Sequence, residues 1–146
     1  MIKKMSIKTA LTSLLTLGAS LTLCANSFAS TPISPNAKAY IVSPTHGQVV
    51  TSPVTVVFGL TGAGVAPAGV NKENTGHHHL IINAATPDMS KSIGKDDKHK
   101  HFGGGQTQTS INLPPGKHTL QLVFGDAAHV PHNPPVVSKT IEIIVQ

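Results

Sequence analysis

The 146-residue chain has no tryptophan and a single cysteine, Cys24. Its basic residues are all lysine, with no arginine among them, and it holds one tyrosine and four phenylalanines. Each scarcity excludes something. One cysteine forms no internal disulfide and supplies no thiolate cage for a metal. Few aromatics, no arginine and no basic stripe argue against nucleic-acid binding. With 13 glycines and 11 prolines, and no sustained heptad, the chain is not a helical bundle. The core must be aliphatic. What is abundant is histidine, with nine in all.

The formal charge of +5 is concentrated at the N-terminus. Lys3, Lys4 and Lys8 precede the apolar run Ala10 to Leu23, which is too short to span a bilayer comfortably. Ser27-Phe28-Ala29 then has the small-x-small pattern of a cleavage site. Residues 1–29 are expected to be a signal peptide, with Ser30 the mature N-terminus and the protein periplasmic or secreted. The alternative is a lipoprotein anchored through Cys24, since Leu21-Thr22-Leu23-Cys24 is a rough lipobox. Without residues 1–29 the chain keeps eight lysines, six acids and all nine histidines, and loses its cysteine. No membrane span is then expected.

Residues 30–37 read as a flexible, polar lead. From 38 to 146 the pattern predicts a single domain of short strands. Val54, Val56, Phe58 and Leu60 share one face of a strand, as do His118, Leu120, Leu122 and Phe124. His77 to Asn83 predicts another strand, Thr109 to Leu113 another, and Val136 to Val145 the last. Pro114-Pro115-Gly116 fits a type II turn. Two loops carry histidines: the 23-residue polar stretch 84–106 and the segment 125–135. A loop as long as the first is usually functional or disordered. Gly103-Gly104-Gly105 within it reads as a flexible hinge. The expected fold is all-β, a small antiparallel immunoglobulin-like β-sandwich of six or seven strands with long His-bearing loops. A closed barrel is the alternative.

On a strand, His77 and His79 point to one face and His78 to the other. A His-x-His pair on one face suits chelation of one ion, and His99-Lys100-His101 repeats the spacing. Three or four converging imidazoles without thiolates suit Zn(II), Cu(II) or Ni(II). The candidate metal ligands are His77, His79 and His101, with His129 or His132 as a fourth. Asp126 is placed to orient a ligating imidazole. His78, in register with Leu80 and Ile82, is expected to be a hydrogen-bonded histidine at the core's edge. His118 is expected to be structural, and His46 to lie on the surface.

Several segments carry a resemblance: Thr75-Gly76-His77-His78-His79-Leu80, His101-Phe102-Gly103-Gly104-Gly105-Gln106-Thr107, Leu113-Pro114-Pro115-Gly116-Lys117-His118-Thr119-Leu120, and His129-Val130-Pro131-His132-Asn133-Pro134-Pro135-Val136. Over about Tyr40 to Val145 the chain resembles the bacterial exported family catalogued as domain of unknown function 4399. The resemblance implies export and a β-rich domain, and supplies no activity. Where that family often has an acid after its apolar strand, this chain has Asn83.

Enzymatic motifs are missing. The chain has no Gly-x-Ser-x-Gly elbow and no phosphate-binding glycine loop, and its six acids form no evident pair. His99 to Gly103 looks like the copper-ligand strand of copper–zinc superoxide dismutases, but the rest of that pattern is missing. The expectation is a non-enzymatic periplasmic protein that binds copper or zinc through a histidine cluster, for carriage, buffering or sensing. The rival is a structural or interaction module of the cell envelope, with an envelope protein as partner, whose histidines pin loops by hydrogen bonds.

Overall fold

Alternation of apolar and polar side chains decides the architecture. A computed structural model of the protein describes residues 31–146 and has ten strands and no helix among them. The expected signal peptide at 1–29 and Cys24 lie outside the described residues. No helix among the described residues is long and apolar enough to cross a membrane.

Three strands make the smaller sheet: β1 (Lys38–Ser43), β3 (Val54–Thr61) and β7 (Gln108–Ile111), in the order β1-β3-β7. The larger sheet is built on β5 (Thr75–Ile82) and β8 (Gly116–Gly125), which pair antiparallel from His77 opposite Gly125 to Ile82 opposite Leu120. β10 (Ile141–Val145) pairs with the first half of β8, and β9 (Pro131–Val137) with its last residues. β4 (Gly64–Val65) and β6 (His99–His101) likewise divide one edge of β5, and β2 (Val49–Val50) extends β10.

The two sheets bury a common aliphatic core. Val54, Val56, Phe58 and Ile111 come from one, and Leu80, Ile82, Leu120, Leu122, Phe124, Ile143 and Val145 from the other. Each such side chain contributes about 1.5–3 kcal/mol by leaving water. The fold is thus the expected all-β sandwich, with two differences. The short pairs β2–β10 and β4–β5 are parallel, so the sheet is not wholly antiparallel. The strand count also exceeds six or seven. Residues 131–135, part of the segment 125–135 that reads as loop, belong instead to β9, an edge strand where a missing proline N–H is tolerated.

The described part of the lead is not free chain. Ile33 is buried in the core, and the Ser34 N–H donates to Asn74 Oδ1 at 2.9 Å. The segment's one large apolar side chain has a place inside, which outweighs its polar composition.

β5 and β8 are buried on both faces. Behind the sandwich core lies a second small cluster, in which Ile81 and Val123 pack with Ile93, Met89, Ala84 and Val137. The stretch after β5 therefore folds back over the outer face of the large sheet, and that face carries the site.

Candidate metal centre

The strand period places His77 and His79 on the outer face of β5 and His78 on the inner one. Register then brings partners to the outer pair. His79 stands opposite His101 on β6, and cross-strand neighbours share a face. His77 stands opposite Gly125, where β8 ends and the turn carrying His129 begins. The structure thus gathers His77, His79, His101 and His129. One ligand atom from each lies within 4.8 Å of all the others.

The gathered rings are close. His77 Nε2 is 3.0 Å from His129 Nδ1 and 3.2 Å from His101 Nε2. The ring centres of His79 and His101 are 5.2 Å apart, and those of His101 and His129 are 4.6 Å apart. A tetrahedral zinc ion, 2.0–2.1 Å from each nitrogen, requires nitrogens about 3.3 Å apart, so ring movements on the order of 1 Å would complete the shell. His77 and His79 are fully buried and the other two half-buried. His77 Nδ1 and both nitrogens of His79 have no hydrogen-bond partner. Buried polar atoms are normally paired, so these unpaired nitrogens need an explanation, and each neutral ring has one lone pair to offer.

Burial also sets the protonation state. Desolvation pushes His77 down to about 4, helped by the nearby His129 and His101 and opposed by Asp126. Desolvation, then His77, His101 and His129, push His79 down to about 3, opposed by the backbone of Val123. His101 is lowered too, by desolvation, His129 and Lys95. These three rings are neutral at pH 7 and can offer lone pairs to an ion.

Two glycines make room for the rings. A Cβ on Gly125 would lie 2.9 Å from His79 Cε1, and one on Gly103 would collide with the His101 ring. Gly103 is therefore a close-packing position rather than part of a flexible hinge, and the Gly105 N–H closes the turn on Phe102 O at 3.1 Å. The sequence signal was there in the glycine run, but its meaning depends on a ring brought in by another strand.

His132 does not join the group. It lies in β9, and its ring stacks on the core side chain Phe124 with centres 5.6 Å apart. Its Nδ1 donates to Thr31 O at 2.8 Å. The choice between His129 and His132 thus goes to His129, because the chain turns at residue 129 and the strand after it sends His132 to the opposite side. Asp126 also differs from expectation. Its carboxylate bonds backbone N–H groups of Thr31, Ala128 and Val130, and none of these is an imidazole.

The remaining histidines are elsewhere. His78 is fully buried between Phe58 and Phe124, with neither ring nitrogen paired, rather than hydrogen-bonded at the core's edge. Desolvation lowers its pKa to about 4. His118 is structural: Nε2 donates to Pro114 O at 2.8 Å, and Nδ1 then accepts from Asn83 Nδ2 at 2.8 Å. His99 bonds Asp96 at 2.8 Å, and His46 accepts the Glu142 N–H at 3.1 Å.

Residues 56–146 match the family described as Domain of unknown function (DUF4399). No curated protein and no solved structure matches the chain significantly.

Proposed function

The chain belongs to the DUF4399 family, whose description names no activity, and we propose from the site itself that it is a non-enzymatic exported protein holding one divalent transition-metal ion. The ion is copper or zinc, and His77, His79, His101 and His129 are its ligands. The observation that carries this reading is the convergence of four imidazoles, two of them fully buried, with His77 Nδ1 and both His79 nitrogens lacking a hydrogen-bond partner. All-nitrogen donors without thiolate suit Zn(II) and Cu(II). Four protein ligands would fill a tetrahedral shell, which fits carriage, buffering or sensing better than catalysis, where a position is kept open. A periplasmic location is part of the proposal and rests on the N-terminal sequence pattern.

The test is elemental analysis of untagged protein recovered from the periplasm, followed by titration with Zn(II) and Cu(II). The combined substitution His77→Ala with His79→Ala should abolish uptake of one equivalent. Equal binding by the double variant and the unsubstituted protein would end this reading.

A second reading has one observation in its favour. The contacts of His77 with His129 and His101 are at hydrogen-bond distance, so the rings could simply pin the loops of an envelope module. That reading leaves both nitrogens of His79 unexplained.

A further inference from the structure

Asp126 is buried, at 3% exposure, beside the four-histidine cluster. Its Oδ1 accepts the Ala128 N–H at 2.9 Å and the Val130 N–H at 3.0 Å. The main chain repeats the closure: the His129 N–H donates to Asp126 O at 3.0 Å, and the Asp126 N–H donates to Val130 O at 2.9 Å. The carboxylate therefore sits inside the turn 126–130 and holds it shut. His129 is at the bend with φ of +64°, a left-handed conformation uncommon for residues other than glycine. Such a conformation persists only where its surroundings enforce it. From the other side, the Ile93 N–H donates to His129 O at 2.8 Å.

The second carboxylate oxygen reaches a distant part of the chain. Oδ2 accepts the Thr31 N–H at 3.1 Å, and Thr31 O accepts from His132 Nδ1. One residue on, Pro32 O accepts the Asn74 N–H at 3.1 Å, and the Ser34 N–H donates to Asn74 Oδ1. Asn74 immediately precedes β5. Residues 31–34 thus tie the turn that carries His129 to the start of the strand that carries His77 and His79. These residues lie before residue 56, where the match to the family begins.

We propose that Asp126 is a positioning residue for the metal centre, acting through the backbone of the His129 turn, and that Thr31 to Ser34 form the strap that fixes that turn against β5. The inference rests on the metal-holding reading. Hydrogen bonds from backbone N–H groups to a carboxylate are among the stronger ones, so three of them can define where His129 sits.

The experiment is competition titration with Zn(II) against a chromophoric chelator, using the purified exported chain. The variants are Asp126→Asn, His129→Ala, the two combined, and Thr31→Pro, with far-UV circular dichroism on each. Asp126→Asn should weaken zinc binding at least about tenfold, the scale expected for loss of a group that orients a ligand. The combined variant should bind within about twofold of His129→Ala alone, because both changes remove the same ligand. Thr31→Pro removes the N–H and the hydroxyl that face Asp126 Oδ2 and leaves the carboxylate in place, and it should weaken binding several-fold with an unchanged spectrum. Unchanged affinity in Asp126→Asn would overturn the proposal, and so would effects that simply add in the combined variant. Unchanged affinity in Thr31→Pro would overturn the strap. Should Asp126→Asn not fold, Thr31→Pro paired with His129→Ala runs the same cycle. Absence of zinc binding by the unsubstituted protein would refute the metal reading itself, an outcome distinct from these.

Discussion

His79 and His101 face each other across the antiparallel ladder of β5 and β6, with ring centres 5.2 Å apart, although the whole of 80–100 lies between them in the chain. The intervening loop is long, but closure entropy grows only slowly with length. Packing of Ile93 and Met89 on Ile81 and Val123 holds it down. The third ligand thus arrives because a polar loop has two apolar side chains to anchor it.

His101→Ala should therefore weaken Zn(II) or Cu(II) binding by at least the 10–100-fold that loss of an orienting partner costs. His132→Ala should cost far less than His101→Ala, since its ring stacks on Phe124 away from the cluster and reaches the site only through its bond to Thr31 O. His46→Ala is the surface control. Isothermal titration calorimetry checks all three. Equal affinity in the His101 variant would show that the loop does not contribute to the site.

The metal-free protein should lose stability in acid. His77, His78 and His79 have folded-state pKa values of about 4, 4 and 3, against 6.5 when exposed. Below pH 6.5 the unfolded chain takes up protons that the folded chain refuses, so stability falls as pH falls, and it levels off near the folded values. Above 6.5 these groups contribute no slope. Each can supply up to about 1.4 kcal/mol per pH unit in that window. Urea unfolding at pH 7.5, 6 and 5 measures it, and a flat profile would contradict the burial of these rings as neutral groups.

Replacing His78 should raise stability without touching the metal site. Its two nitrogens are buried and unpaired between Phe58 and Phe124. His78→Leu removes that penalty, which is about 1–3 kcal/mol for an unsatisfied buried group. The melting temperature should rise while metal affinity stays the same. A fall would mean that His78 has a partner in solution.

Gly125→Ala tests the room made for His79. The new methyl would lie 2.9 Å from His79 Cε1 and 3.3 Å from Nδ1. Overpacking of this kind costs about 1–3 kcal/mol, and the displaced ring should also bind metal more weakly. Gly94→Ala, with nothing within 4 Å of the added atom, should be silent in both denaturation and titration.

The amino-acid sequence by itself determined the faces. A period of two put Val54, Val56 and Phe58 inside, split His77 and His79 from His78, and marked His-x-His as a chelating spacing, because side-chain alternation is a local property of extended backbone. It also settled the donor chemistry of the described residues, which offer imidazoles and no thiolate. Only the tertiary structure decided which loop histidine completes the cluster. His129 and His132 are equivalent by spacing, and the difference is a left-handed residue in a turn closed by Asp126, with Thr31 bound to the same carboxylate. The burial of His77 and His79 was likewise invisible locally, because the rings packed against them, His101 on β6 and His129 in the turn 126–130, come from elsewhere in the chain. Pairing between segments far apart in the chain depends on register and on which apolar side chains find partners, and neither is written in any short stretch of sequence.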